Sequence, residues 1–496
     1  MEHSPERELK LSVGPEFRLP SAYGLGGAAI RRAPPERTAT TYYDTADLRL
    51  ARWGASLRYR PGEGWTVKLP AERDTPFLVR PEVVFEGNGG RPPAAAVDLV
   101  RAFVRECDLD VRVRLATTRR RTDIHDAAGR RIGGVVDDSV SVLDGDDPST
   151  FREVEVEIGD AMTPTLLDAL VERLRLAGAS TRSQTAKYVR ALTTGAQLAP
   201  EVRVPDLSSE ATAGDLVSRA LALSVIRLVL HDPAMRLDVD PEGVHQARVA
   251  TRRLRSDLRT FGRLVAPDFA SDLRTELGWL AGILGEVRDG DVLLERLRKR
   301  VAELPADEQT DATRVVATLE GSRDDAHHHL LETLEGERYV ELLSALVGAA
   351  NAPPLRPRAS TPAAEVVPAL VRKPWHRLAK HVATFGASPP DDELHEARIR
   401  AKRVRYAAEA ATPVVGKQAR AFARAAAALQ GVLGDLNDAV VARAWLEQWA
   451  SSADDPAGER AAEALAASEA GAAASARAEW RGAWERLAAP ELRSWM

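Results

Sequence analysis

Glu6-Arg7-Glu8-Leu9-Lys10 sets Glu6, Glu8 and Lys10 two residues apart. On a β-strand that spacing puts two carboxylates and one ammonium on a single face. Adjacent carboxylates repel. A divalent cation shared between them is one reason for the arrangement, with the lysine left to hold an anion. Taken alone, such alternation also describes an edge strand with a charged solvent face.

The same alternation recurs over residues 1–190, in SLRYR (56–60), WTVKL (65–69), FLVRPEVVF (77–85), VRVRL (111–115), TRRRTDI (118–124) and FREVEVEI (151–158). Turn-forming stretches separate these runs: PGEG (61–64), DAAGR (126–130) and DGDDP (144–148). Arg58 and Arg60 share a face, as do Thr66 and Lys68, Arg80 and Glu82, Arg112 and Arg114, and Arg119, Arg121 and Asp123. Glu153, Glu155 and Glu157 share another, with Val154, Val156 and Ile158 opposite. One such strand is a solvated surface. Six or more, each with apolar residues opposite, imply a barrel whose inside is charged. A charged lumen is costly unless its charges pair or bind ions. Helices are expected over 93–107 and 164–177.

A linker is read over 193–211, and from 212 onward the pattern is helical, with a Pro-rich break at 350–362. The two helical halves repeat each other. His245, Arg248, Arg252, Arg253 and Arg255 match His395, Arg398, Lys402, Arg403 and Arg405 at an offset of 150 residues. LGEVRD (284–289) and LGDLND (433–438) follow in the same order. Positions 245, 248, 252, 255 and 259 lie on one helix face, as do 395, 398, 402 and 405. Residues 245–263 hold six arginines against one aspartate. Such a stripe needs acidic partners or a bound polyanion. Few aromatics flank it, so a phosphate chain suits it better than nucleic acid. The consecutive His327, His328 and His329 cannot converge on a metal, because neighbouring helical residues diverge by about 100°.

The N-terminal segments resemble the CYTH superfamily of triphosphate tunnel metalloenzymes. The resemblance rests on ExExK (6–10), TYYDTADLRLARWGASLRYR (41–60), WTVKLP, FREVEVEIGD and Lys187. The helical part, with its paired His- and Arg-bearing helices, resembles the CHAD domain. Together they imply an α+β chain: an eight-stranded antiparallel barrel tunnel over 1–192, then duplicated four-helix bundles over 212–490. The CYTH resemblance implies hydrolysis or cyclisation of triphosphates with Mg²⁺ or Mn²⁺. By position, Glu6, Glu8, Glu155 and Glu157 would bind metal. An acidic residue ahead of the Glu-rich strand would join them; Asp137 is assigned to it, with Asp138 as the alternative. Lys10, Arg58, Arg60 and Lys68 would act on the phosphates at the reacting centre, and Arg80, Arg112, Arg114, Arg119, Arg121 and Lys187 would bind substrate. The CHAD resemblance implies inorganic polyphosphate on His245, Arg248, Arg252, Arg255, His395, Arg398, Lys402 and Arg405. Lys402 stands where the other half has Arg252, and Asn437 where it has Arg288.

The chain has 496 residues, a formal charge of −5 and one cysteine, Cys107, which excludes an internal disulfide and the common zinc motifs. These features suit a reducing cytosol, with polyphosphate granules as a further expected location. No run of 18 apolar residues occurs, and no P-loop motif argues for an ordinary NTPase. Hydrolysis of inorganic triphosphate is the leading expectation. The rivals are a scaffold that holds polyphosphate without cleaving it, a nucleotide cyclase and a thiamine triphosphatase.

Overall fold

The computed structural model describes residues 6–14, 16–20, 29–70, 78–144, 149–180, 187–193 and 198–496; the side chains of residues 6, 78–80 and 193 fall outside that description. The chain divides into two compact units, Met1–Glu201 and Val202–Met496.

The first unit contains strands β1 (Glu6–Val13), β2 (Ala29–Arg32), β3 (Glu36–Asp44), β4 (Ser56–Arg60), β5 (Gly64–Lys68), β6 (Leu78–Arg80), β7 (Glu82–Phe85), β8 (Asp110–His125), β9 (Arg131–Val142) and β10 (Thr150–Ile158). They pair antiparallel in the order β6-β1-β10-β9-β8-β3-β4-β5-β7, with β2 also on β8. Two breaks come from proline, which has no N–H to give to a ladder. Pro81 alone separates β6 from β7, and its carbonyl accepts from Leu69 N at 2.9 Å. Ala33, Pro34 and Pro35 separate β2 from β3, which both run along β8. The ten segments are therefore eight strands. Because β6 pairs with β1 and β7 with β5, the sheet returns on itself as a barrel.

Short helices α1 (Arg49–Trp53), α2 (Ala94–Leu99) and α3 (Arg101–Val104) cover one wall, with α2 packed on β5. Helix α4 (Pro164–Leu176) covers another, and Thr163 caps it by accepting from Leu166 N. Its Leu167, Leu170, Val171 and Leu174 bury Leu9, Leu11, Val154 and Val156. The apolar face of β1 and β10 thus points outward into helix, and the charged face inward. Each such fully buried leucine contributes on the order of 2 kcal/mol, which is enough to decide the orientation of both strands. Helix α5 (Lys187–Thr193) enters the lumen, where Tyr188 stacks on Tyr42 at 5.0 Å beside Val113, Leu115 and Val140. Part of the stretch expected to be linker is held by this unit: Glu201 binds Arg105 and accepts from Trp53 Nε1 at 2.6 Å.

The second unit is helical: α6 (Ala213–Leu237), α7 (Glu242–Thr260), α8 (Pro267–Glu303), α9 (Gln309–Glu335), α10 (Glu337–Asn351), α11 (Ala363–Val382), α12 (Asp391–Val415), α13 (Lys417–Ser452) and α14 (Pro456–Leu487). At the 150-residue offset, α11 to α14 repeat α6 to α9, and α10 is an additional helix of the first half. Thr212 starts α6 with a capping box to Asp215, satisfying two end N–H groups at once. No helix among the described residues is long and apolar enough to cross a membrane.

Gly64 turns the β4–β5 hairpin at φ +87°, and a Cβ there would meet Phe85 O at 2.7 Å. Gly64→Ala is expected to cost about 1–3 kcal/mol. An unchanged urea unfolding midpoint would refute the close approach.

Candidate functional site

Strand register decides which charges meet. Lys10 pairs with Glu155 and Glu8 with Glu157 across β1–β10, Glu153 with Asp138 across β10–β9, and Asp138 with Arg119 across β9–β8. Paired residues point the same way, so all of these face the lumen. Lys10 Nζ lies 3.2 Å from Glu8 and 3.0 Å from Glu155. Lys187 Nζ binds Asp138 and lies 3.3 Å from both Glu153 and Glu155. Arg119 grips Asp138 with two hydrogen bonds, of 3.0 and 2.8 Å, and reaches Glu155 at 3.5 Å. Farther along, Arg121 and Arg131 both bridge Asp123 and Glu157. On the facing strands Lys68 pairs with Glu82, and Arg60 donates to Thr40 at 3.2 Å and Glu63 at 2.7 Å. Among the described residues, the buried Nε of Arg58 has no hydrogen-bond partner.

These neighbours set the charge states. Burial would lift the Glu155 carboxyl, but Lys10, Lys187 and Arg119 outweigh it and hold the group well below the ordinary carboxylate range. At Glu153 burial prevails over Lys187 and Lys10, and the carboxyl stays above that range. Burial opposes the charge on Lys187, yet Glu155, Glu153 and Asp138 hold its ammonium above the usual lysine value.

The donor set fits a hard divalent cation in kind. Glu8, Asp138, Glu153 and Glu155 offer only carboxylate oxygens, and among the described residues the buried Glu153 Oε1 accepts no hydrogen bond. Four carboxylates face three cations here, Lys10, Lys187 and Arg119, which leaves negative charge for an ion to neutralise. Among the described residues no three acidic, His or Cys side chains already surround one point, because the ammonium groups stand between them.

Several expectations need correction. β8 is one strand from Asp110 to His125, and from Val113 to Ile124 its even and odd positions diverge; a bulge opposite Tyr42 and Tyr43 leaves Arg112 out of the register with β3. Arg119 and Arg121 face the lumen; Arg114, at an even position of the same register, faces outward, and Arg112 lies at the bulge. Arg112 donates to Asp44 O at 3.0 Å, and Arg114 pairs with Asp144 at 2.9 Å with its side chain 54% exposed. Asp137 also faces outward, where Arg152 holds it with bonds of 2.7 and 2.6 Å. The residue that joins the cluster is Asp138. Glu157 faces the lumen but belongs to the Arg121–Arg131 pair, and Glu153 takes its place beside Glu155. Glu6 pairs with Arg80 through the backbone, and both side chains lie outside the described residues. Glu153 was visible in the EVEVE alternation. Asp123 was visible in the TRRRTDI alternation, and Asp138 stood as the alternative to Asp137; Arg131 had no local signal, because β9 carries no polar–apolar alternation at its start.

In the helical unit α7 packs against α12 and brings the two basic stripes together. Arg248 pairs with Asp289 at 2.6 Å, and Arg398 lies 3.6 Å from Asp438, its counterpart in the repeat. Among the described residues, the buried Nε atoms of Arg252 and Arg398 have no hydrogen-bond partner. Burial, then Arg398, Arg252 and Arg248, push the Lys402 ammonium down to about 7. Burial and the same row of cations, Arg288 first, lower the His245 imidazolium. His395 instead sits 2.5 Å from Asn437 Oδ1. Arg405 is held by Glu409 at 2.7 Å, whereas Arg255 lies over the α8 backbone at Gly278.

A family model described as CYTH domain matches residues 4–189, and one described as CHAD domain matches residues 219–447. The chain is 30% identical over 485 residues to the Mycobacterium tuberculosis (strain ATCC 25618 / H37Rv) protein named "Uncharacterized protein Rv2226", covering 92% of this chain and 90% of that one. The strain CDC 1551 / Oshkosh protein MT2285 matches to the same extent. Among solved structures, PptA from Streptomyces chartreusis aligns at 23% identity and TM-score 0.47, over 55% of this chain and all of that one. The CHAD domain of the plant Ricinus communis aligns at 26% identity and TM-score 0.48, over 58% of this chain and 96% of that one.

Lys187→Met would leave Asp138, Glu153 and Glu155 short of a buried counter-charge. A loss of about 3–5 kcal/mol is expected in denaturant unfolding; a wild-type midpoint would show that the carboxylates do not depend on it.

Proposed function

Because the chain belongs to the proteins in which a CYTH domain is followed by a CHAD domain, we propose that its barrel hydrolyses inorganic triphosphate or a related triphosphate. We propose also that the reaction uses Mg²⁺ or Mn²⁺ and that the helical unit binds inorganic polyphosphate. The observation that carries this reading is the convergence of Glu8, Asp138, Glu153 and Glu155 with Lys10, Arg119 and Lys187 on one lumen wall. Both halves of a metal–triphosphate complex find partners there.

Phosphoryl transfer asks the protein for positioning and charge neutralisation more than for covalent chemistry. Glu8, Asp138, Glu153 and Glu155 would hold the divalent ion, which supplies charge neutralisation at the phosphate oxygens. Arg58, Arg60 and Lys68 on the facing strands would take the phosphates, and the unpartnered Nε of Arg58 is a donor already desolvated for that purpose. Water attacks a terminal phosphorus, the bridging P–O bond breaks, and pyrophosphate leaves. Guanidinium groups aimed at the developing charge lower the barrier.

A second reading has its own support. Lys10 and Lys187 already neutralise part of the carboxylate set, as suits a lumen that holds phosphate chains without cleaving them. Phosphate release from triphosphate with Mg²⁺ or Mn²⁺, comparing wild type with Glu155→Gln, separates the two. Hydrolysis predicts metal-dependent turnover falling at least about 100-fold in the variant. Tight binding without turnover in the wild type would establish the scaffold.

Lys402 gives the polyphosphate assignment a pH signature. Its ammonium is half-deprotonated near pH 7, and a polyanion binds the protonated form. Affinity should therefore fall as pH rises from 7 to 9, by up to about tenfold per unit for one proton taken up. Lys402→Arg should flatten that slope in calorimetric titrations; an equal slope in both proteins would remove Lys402 from the site.

A further inference from the structure

The 150-residue repeat places two equivalent locations beside the α7–α12 contact, and they have diverged in charge. The first is a cavity of about 220 Å³ between the end of α7, α11 and α12. Arg259, Lys373, Arg377, Arg400 and Arg403 line it, joined by Arg263 and Arg358 from the adjoining loops. Leu264, Val366, Ala369 and Leu370 give it an apolar floor. Among the described residues, one carboxylate is ion-paired with this set: Glu396, 2.9 Å from Arg400.

At the second location the offset converts Arg259 to Glu409, Ser256 to Tyr406, Lys373 to Leu223 and Arg400 to Ala250, while Arg377 and Arg403 keep their charge as Arg227 and Arg253. Glu409 takes Arg253 at 2.5 Å and Arg405 at 2.7 Å. The Tyr406 ring lies 5.8 Å from the Arg253 guanidinium. That copy has an acid among its arginines and a tyrosine ring beside them. The other has an arginine where the acid stands and a serine where the ring stands.

We propose that the cavity between α7, α11 and α12 is a binding site for an organic phosphate, whose phosphate lies among Arg259, Arg377 and Arg403 and whose apolar or aromatic body lies on the floor formed by Val366, Ala369 and Leu370. Guanidinium groups match phosphate oxygens in pairs and also stack on flat rings. An inorganic chain would gain nothing from the apolar floor, whereas an ester with a hydrocarbon or aromatic body buries against it. The repulsion that an anion would relieve is present: burial, then Arg403, Arg274, Arg255 and Arg377, lower the Arg259 guanidinium. Arg259 ends the α7 stripe, but Arg248, Arg252, Arg398 and Lys402 do not line this cavity, and the site stands whether or not the barrel is catalytic.

The test is calorimetric titration of the full chain with 1-naphthyl phosphate, with inorganic orthophosphate and 1-naphthol as the two fragment arms. The ester is expected to bind at least about tenfold more tightly than either fragment. Arg259→Glu recreates the charge of the second location and should weaken the ester at least tenfold. Ala369→Phe fills the floor without changing charge and should do the same, so a folding defect in one variant does not remove the test. Arg252→Ala, on the stripe, should leave ester binding unchanged, and saturating inorganic polyphosphate should not displace it. Orthophosphate binding as tightly as the ester, wild-type affinity in both cavity variants, displacement by polyphosphate, or loss in Arg252→Ala would each overturn the proposal.

Discussion

Closing eight strands into a barrel gives every inward side chain the same small volume to share, so each inward charge must find an opposite charge or a ligand. The rest of the first unit follows from that constraint. Leu9, Leu11, Val154 and Val156 are buried under α4, which commits Lys10, Glu153 and Glu155 to the lumen. Helix α5 then does two things at once. Its Tyr188 and Val189 fill the apolar part of the lumen, and its Lys187 reaches the carboxylates from inside. The resulting set is close to balanced yet still acidic, with arginines and a lysine on the facing strands. Hydrolysis and storage of phosphate chains both begin from that arrangement.

The helical unit meets a related constraint differently. Two copies of one basic helix are packed together, and symmetry alone would double every repulsion. The copies have diverged at a few positions that relieve it selectively. Asn437 accepts beside His395, where Arg288 lowers the imidazolium of His245. Lys402 can give up a proton where Arg252 cannot. Glu409 pairs with Arg253 and Arg405, where Arg259 adds one more positive charge. Repetition supplied the scaffold, and substitution at matched positions made its two sides chemically different.

Much of this was legible in the residues themselves. Alternation in ERELK and FREVEVEI identified strands with one charged and one apolar face, and the 3-4-3-4 spacing from His245 and His395 identified the basic helix stripes. The paired motifs exposed the duplication before any contact was known. These are local properties, because side-chain direction along a strand or helix depends only on position within that element. Other facts depended on how elements pair. The register of β8 turned Arg114 outward and put Arg112 at a bulge, and the β9–β10 register chose Asp138 over Asp137. The return of β6–β7 through Pro81 made the sheet a barrel. The contrast between the Arg259 cavity and the Glu409 pair required α7, α11 and α12 to be in place. Register, closure and helix contact join residues far apart in the chain, and a one-residue slip reverses every side chain, so only the tertiary structure decides them.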